Sequence, residues 1–370
     1  MTTLGHAFDQ WANRPADQRF GGDDEGAMAA LQSATLHHRE ASVEATDISL
    51  RQCRIDTLID GISGDRAPVL VGPNGVRSSF THYAFGQLAR NVGAPAGYLR
   101  GLPAPLAVAN LNEGLAKLPE GDAPCNLLFT QNGDLRLRAL TSERYTRIWN
   151  SDVVSRLIAL RERAPEWKPA PAAFDGSRGL YASDEDMFAF LVDNDRRIFE
   201  KGPGGGLGRG FFVWNSEVGA ASFGIMTFLY EYVCGNHRVW GAQGVHDLRI
   251  RHVGNADHTA FASMAVELRK YADSSAAGDE LRVEAAQKHI FGATKDEVLD
   301  AVFGIAGLGI SRKVLSAGYD KAVERTDWYG SPNSAWGISG GLTEIARDLP
   351  VTSERVRLDR AAGKIVQIAF

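Results

Sequence analysis

Apolar and polar positions alternate with a period of two in short runs from about residue 50 to residue 253, and beyond Asn255 the period becomes 3.6. Three turn signals punctuate the first region. Pro73-Asn74-Gly75 separates Val69–Gly72 from Val76–Phe80, Asn132-Gly133 separates Asn126–Gln131 from Asp134–Leu140, and Gly235-Asn236 separates Ala221–Cys234 from His237–Trp240. Each predicts a hairpin, because Asn and Gly accept the positive φ of a tight turn. Further strands are expected at Arg178–Ala182, Met187–Val192, Phe211–Trp214 and Asp247–Val253. Gly202–Gly210, with six glycines in nine positions, reads as a mobile loop, because glycine loses the most entropy on ordering.

Helical spacing appears between these runs. Thr81 stands as N-cap before Phe85, Leu88, Ala89 and Val92, and Gly93 ends that stripe. Val108, Leu111, Leu115 and Leu118 form a second stripe, and Val154, Leu157 and Ile158 a third, from about Asp152 to Ala164. In the last third, Phe261, Met264, Ala265, Leu268 and Tyr271 share a face, and Thr294 with Glu297 makes a capping box ahead of Val298, Leu299, Val302 and Phe303. Lys364–Phe370 alternates weakly and predicts a short closing strand. The fold class expected is α+β, an antiparallel sheet built from hairpins and backed by helices, with a helical C-terminal region. The expected divisions are an N-terminal arm (1–27), an α+β core (28–255) and a mainly helical region (256–370).

Composition changes this picture little. Of 370 residues, 44% are apolar and 23% charged, ordinary values for a chain with a sizeable core. The net charge of −5 argues against a wholly basic nucleic-acid binder, yet it leaves room for a local basic patch. Three widely spaced cysteines, Cys53, Cys125 and Cys234, point to a reducing, cytoplasmic setting without a disulfide framework. The start of the chain lacks the pattern of a signal peptide, and no apolar run reaches the length of a membrane span. No membrane partner is expected.

Three segments look familiar together: Tyr98-Leu-Arg-Gly-Leu-Pro103 running on to Ala109-Asn-Leu-Asn112; Arg138-Ala-Leu-Thr-Ser-Glu-Arg-Tyr145; and Gly210-Phe-Phe-Val-Trp-Asn-Ser-Glu-Val-Gly219 with Val233-Cys-Gly-Asn236. Their order and spacing resemble the phage/plasmid-like protein family, a domain of unknown function, over roughly residues 11 to 320. His237 departs from that family's pattern, in which a glycine follows the Cys-x-Asn block. The resemblance implies a mobile-element context and assigns no catalytic residue.

Several motifs suggest chemistry, each beside a plainer reading. Gly337-Ile-Ser339-Gly-Gly341 has the letters of a nucleophile elbow, but the flanking residues lack the required strand, and the alternative is a helix junction. Cys234, His237, His246, His252 and His258 could supply zinc ligands, although no second close ligand pair accompanies Cys234 and His237. Neither a metal nor a cofactor is expected. Asn215-Ser216-Glu217 reads as a ligand site or as a polar turn bonded to its own backbone.

The most informative feature is a pair of basic strands, Leu135-Arg136-Leu137-Arg138 and Leu248-Arg249-Ile250-Arg251. Alternate residues share a sheet face, so the arginines of each strand are expected outward and the aliphatic residues inward. If the two strands share a face, Arg136, Arg138, Arg249 and Arg251 form a phosphate track, joined by Arg144 and Arg147. Trp214, Asn215 and Tyr232 would then contact bases. The plainer reading is a solvated charged face. The function expected is binding of single-stranded nucleic acid by a homo-oligomer of a mobile element. The alternatives are an oligomeric assembly protein, or an enzyme using Glu217.

Overall fold

The computed structural model describes residues 18–59, 66–121, 123–170, 177–199, 206–231, 236–238, 248–348 and 352–369. The first third runs β1 (Arg19–Gly21), α1 (Asp24–Glu40), β2 (Ser42–Ile48), a 3₁₀ turn (Leu50–Gln52), β3 (Arg54–Ile59), β4 (Arg66–Val71), β5 (Arg77–Phe80), α2 (His82–Asn91), α3 (Ala96–Arg100) and α4 (Ala104–Ala116). Next come β6 (Cys125–Asn132), β7 (Asp134–Ser142), α5 (Asn150–Arg163), β8 (Trp167–Pro169), β9 (Ser177–Ala182), β10 (Met187–Ile198), β11 (Leu207–Asn215), β12 (Phe223–Glu231), β13 (Asn236–Arg238) and β14 (Leu248–Ile250). The remainder is helical: α6 (Ala256–Asp273), α7 (Ala277–Lys288), α8 (Lys295–Phe303), α9 (Arg312–Glu324), α10 (Thr326–Tyr329), α11 (Ala335–Asp348) and α12 (Thr352–Gln367). The fold is α+β.

Two of the three expected hairpins form where the turn residues place them; at the third, Gly235 lies outside the described residues and Asn236 is already in β13, paired with Glu231. Gly75 and Gly133 hold φ of 81° and 88°, and β6 and β7 pair antiparallel around the second. Thr81 caps α2 by accepting from the Ala84 amide, and Thr294 and Glu297 form the reciprocal capping box of α8.

Both of these hairpins lie in the smaller of two sheets. Six strands run in the order β2-β6-β7-β5-β4-β3, and eight are built on β1-β9-β10-β11-β12-β13, with β14 beside β12 and β8 beside β10. All pairs are antiparallel except β5 with β7, which α2 to α4 and β6 connect by the long crossover that parallel strands need. The two basic strands therefore lie in different sheets, and no single face carries both.

Three apolar cores organise the chain. The six-stranded sheet packs Ile55, Leu70, Leu127 and Leu137 against Leu88, Leu111 and Leu115 of α2 and α4. One face of the larger sheet, through Leu191, Phe211, Val213 and Ile225, packs on α1, α5 and α6. The far ends of its long strands, at Ile198, Leu207 and Leu229, enter a third core made by the C-terminal helices. Among the described residues, no helix is long and apolar enough to cross a membrane.

Local expectations fail at three places, each through tertiary packing. Helix α1 begins inside the expected arm, because Ala27, Met28 and Leu31 enter the second core. Leu207–Gly210, read as the end of a mobile loop, is strand: β10 and β12 supply ladder partners on both sides. Residues 202–205 of that run lie outside the described residues. The closing strand is instead the end of α12, where Leu358, Ala361, Ala362, Ile365 and Val366 keep a helical stripe buried in the third core. Gly337–Gly341, for which the flanking residues already spoke against a nucleophile elbow, sits within α11 with Ser339 buried.

Candidate nucleic-acid interface

The face of β7 opposite the apolar core carries Arg136 and Arg138, as the alternation requires, but the two have different surroundings. The Arg136 side chain is 47% exposed; its guanidinium lies 3.6 Å from the Asp184 carboxylate and donates to the Phe80 carbonyl. Arg138 is 2% exposed and donates to the Ser42 hydroxyl, the Asp184 carbonyl and, at 2.9 Å, the Glu217 carboxylate. The β9–β10 turn and the segment after β11 dock on that half of the strand. Arg138 therefore cannot meet a phosphate, and the expectation that it lies on an accessible face is corrected.

Asn215, Ser216 and Glu217 form a buried polar knot between the sheets, bonded mainly to other elements. Besides Arg138, Glu217 accepts from the amide of Asn150, the first residue of α5. The residue ahead of it, Trp149, has no side-chain acceptor to offer as a cap. Glu217 supplies from the segment after β11 what the local sequence lacks, and its carboxylate faces the positive end of the helix dipole. Asn215 donates to the Ile148 carbonyl and the Asn150 side chain, and Ser216 to the Glu185 carbonyl. All three residues are fully enclosed, so a dissolved substrate has no path to Glu217 and a base none to Asn215.

The other expected contacts scatter. Arg147 binds the Glu44 carboxylate and the Glu217 carbonyl, and its guanidinium lies over the Tyr145 and Trp149 rings. Arg144 is exposed at the end of the β7 region. On β14, Leu248 and Ile250 pack inward as expected, while Arg249 rests over the Trp214 ring at 5.9 Å and Arg251 is exposed. Trp214 lies against Gly224, where an added Cβ would fall 2.0 Å from the indole. With Gly224 on the indole and Arg249 over it, Trp214 is poorly placed to stack a base. Tyr232 lies outside the described residues, as do Cys234 and His246.

His252 is buried against Tyr145, rings parallel at 4.9 Å, with Nδ1 on the Thr146 carbonyl. Burial pushes it down to about 4, with the carbonyl bond working the other way. Among the described residues, no group of three or more His, Cys, Asp or Glu side chains is placed to hold a metal.

A concave site missing from the sequence reading opens beside β7. A cavity of about 470 Å³ lies between the ends of β4 and β5 on one side and α2, α3 and the start of α4 on the other. Phe80, Phe85 and Leu99 line it, and Arg66 and Arg100 stand at it. Phe80 and Phe85 meet edge to face at 5.8 Å. The Arg100 guanidinium lies over Phe85 at 5.2 Å and donates to the His82 carbonyl at 2.7 Å. Arg66 and Arg100 are exposed and make no ion pair among the described residues. Arg136 bonds the Phe80 carbonyl but extends from the opposite face of the sheet and does not line the cavity. The cavity gathers residues from five elements, and no linear motif announces it. The nearest sequence signal was Tyr98-Leu-Arg100, inside a familiar block.

The chain matches no protein-family model, no curated protein and no solved structure.

Proposed function

We propose that this protein binds single-stranded nucleic acid at the strand ends of the six-stranded sheet beside α2 to α4, through Arg66 and Arg100 with Arg136 on a neighbouring strand, rather than through two basic strands acting together. The observation that carries the reading is the meeting of the Arg66 and Arg100 guanidiniums with Phe80 and Phe85 at one concave place. Single-strand sites combine these two components: cations that follow the phosphates and π-faces on which bases stack regardless of sequence. Arg100 joins both roles, because a guanidinium plane laid on Phe85 is itself a stacking surface. The resemblance of three sequence blocks to phage and plasmid proteins agrees with a role in recombination or replication of a mobile element.

The test is fluorescence polarisation of a labelled oligothymidylate at low salt. The wild-type chain should bind, and the combined Arg66→Ala, Arg100→Ala and Arg136→Ala variant should bind at least about tenfold more weakly. Arg251→Ala, on the other sheet, should bind as wild type does. Absence of wild-type binding at low salt, or undiminished binding by the combined variant, would overturn the reading.

A further inference from the structure

The cavity beside Arg66 and Arg100 has a shape that says more than affinity for a strand. Its volume of about 470 Å³ falls within the range of about 300–1,000 Å³ usual for small-molecule sites. That is room for one nucleotide and not for a run of them. The ends of β4 and β5, α2 and the α3–α4 turn stand around it.

The lining is divided by chemistry. The interior is apolar, through Phe80, Phe85, Leu99 and Ala107, and the polar contribution comes from Arg66, Arg100, His82, Ser79 and Thr81. Among the described residues no carboxylate lines it, in a chain whose Asp and Glu outnumber Lys and Arg by 45 to 40. This combination selects an anion carrying a flat or apolar body. The Arg100 guanidinium is held at the cavity wall by the Phe85 ring and by the His82 carbonyl. Arg66, exposed and without an ion pair among the described residues, is left for the phosphate.

We infer that the cavity accepts a single nucleoside monophosphate unit, base inward against Phe80 and Phe85 and phosphate outward at Arg66 and Arg100. The protein then holds a strand by a terminal or extruded nucleotide, or binds the free nucleotide. This rests on the nucleic-acid reading for its link to strands, while the nucleotide pocket itself can be tested alone.

The experiment uses the full chain with deoxyadenosine monophosphate as probe, followed by thermal shift and by competition against the labelled oligothymidylate. The nucleotide should raise the melting temperature and displace the strand, and deoxyadenosine should do both about tenfold less well because it lacks the phosphate contact. Ala104→Trp, at the mouth, should abolish the nucleotide effect. If that variant fails to fold, the wild-type competition decides. Tighter binding of a 5′-phosphorylated than an unphosphorylated oligothymidylate identifies a strand end as the source, and equal binding identifies an extruded or free nucleotide; either supports the inference. Strand binding that the mononucleotide neither displaces nor stabilises overturns it and leaves the strand reading standing. Stabilisation by the mononucleotide without any strand binding does the reverse.

Discussion

Arg136 and Arg138 show how two identical residues on one strand face acquire opposite physical roles. Removing Arg138 would leave the enclosed Glu217 carboxylate without its cation, and breaking such a pair typically costs about 3–5 kcal/mol. Removing half-exposed Arg136 should change stability by no more than about 0.5 kcal/mol. Urea unfolding of Arg138→Ala and Arg136→Ala should therefore differ several-fold in effect, and similar midpoints would contradict the burial described. His252 makes a second residue-scale statement. Its native pKa lies at about 4 against an ordinary 6.5, so between those values the unfolded chain binds a proton that the native chain refuses. Stability must then fall as pH drops through that window, by up to about 3 kcal/mol from this group. His38, lowered chiefly by burial and next by Arg138, acts in the same direction. The acid loss of stability should be shallower in His252→Gln than in wild type, and equal slopes would remove His252 as its source.

Helix pairs in the C-terminal core depend on absent side chains. A Cβ at Gly341 of α11 would stand 1.9 Å from the Gly318 carbonyl oxygen of α9, and one at Gly318 would stand 2.6 Å from Leu342. The letters that suggested a catalytic serine are a close-packing surface between two helices. Helix propensity alone favours Ala over Gly by about 1 kcal/mol, but a clash with backbone has no flexible end to yield. The steric term wins, and Gly341→Ala should lower stability by at least about 1–3 kcal/mol. Gly97, exposed on α3 with no atom within 4 Å of an added Cβ, is the matched control. There the same substitution should stabilise by about 0.4–1 kcal/mol. Thermal unfolding of the two variants should move in opposite directions.

For the whole molecule, the charge balance sets how binding responds to salt. Three arginines each neutralising one phosphate give a slope of log affinity against log salt of about −2, at about 0.7 per contact for a single strand. A net charge of −5 adds general repulsion outside the patch. Binding should therefore be clear at low salt and weak at physiological salt. Each single substitution among Arg66, Arg100 and Arg136 should flatten the slope by about 0.7. A salt-independent affinity would place the contacts elsewhere.

The division between local and long-range information follows the same scale. Hairpins at Asn74-Gly75 and Asn132-Gly133, the Thr81 and Thr294 caps, and the stripes of α2, α4, α5 and α6 were legible in the sequence. Turn chemistry, capping and periodicity act over a few residues. The α+β class followed from their order. Which strands share a sheet, and which half of β7 meets solvent, depend on contacts between residues far apart in the chain: Arg138 with Glu217 is separated by 79 positions. Alternation told that Arg136 and Arg138 point the same way; only the docking of a second sheet decided that one is exposed and the other enclosed. The same holds for α12, whose weak alternation in isolation yields to a helical face buried in the third core. It holds also for the cavity, whose walls come from separate elements. Sequence fixes the direction of a side chain relative to its own backbone, whereas its environment is a property of what packs against it.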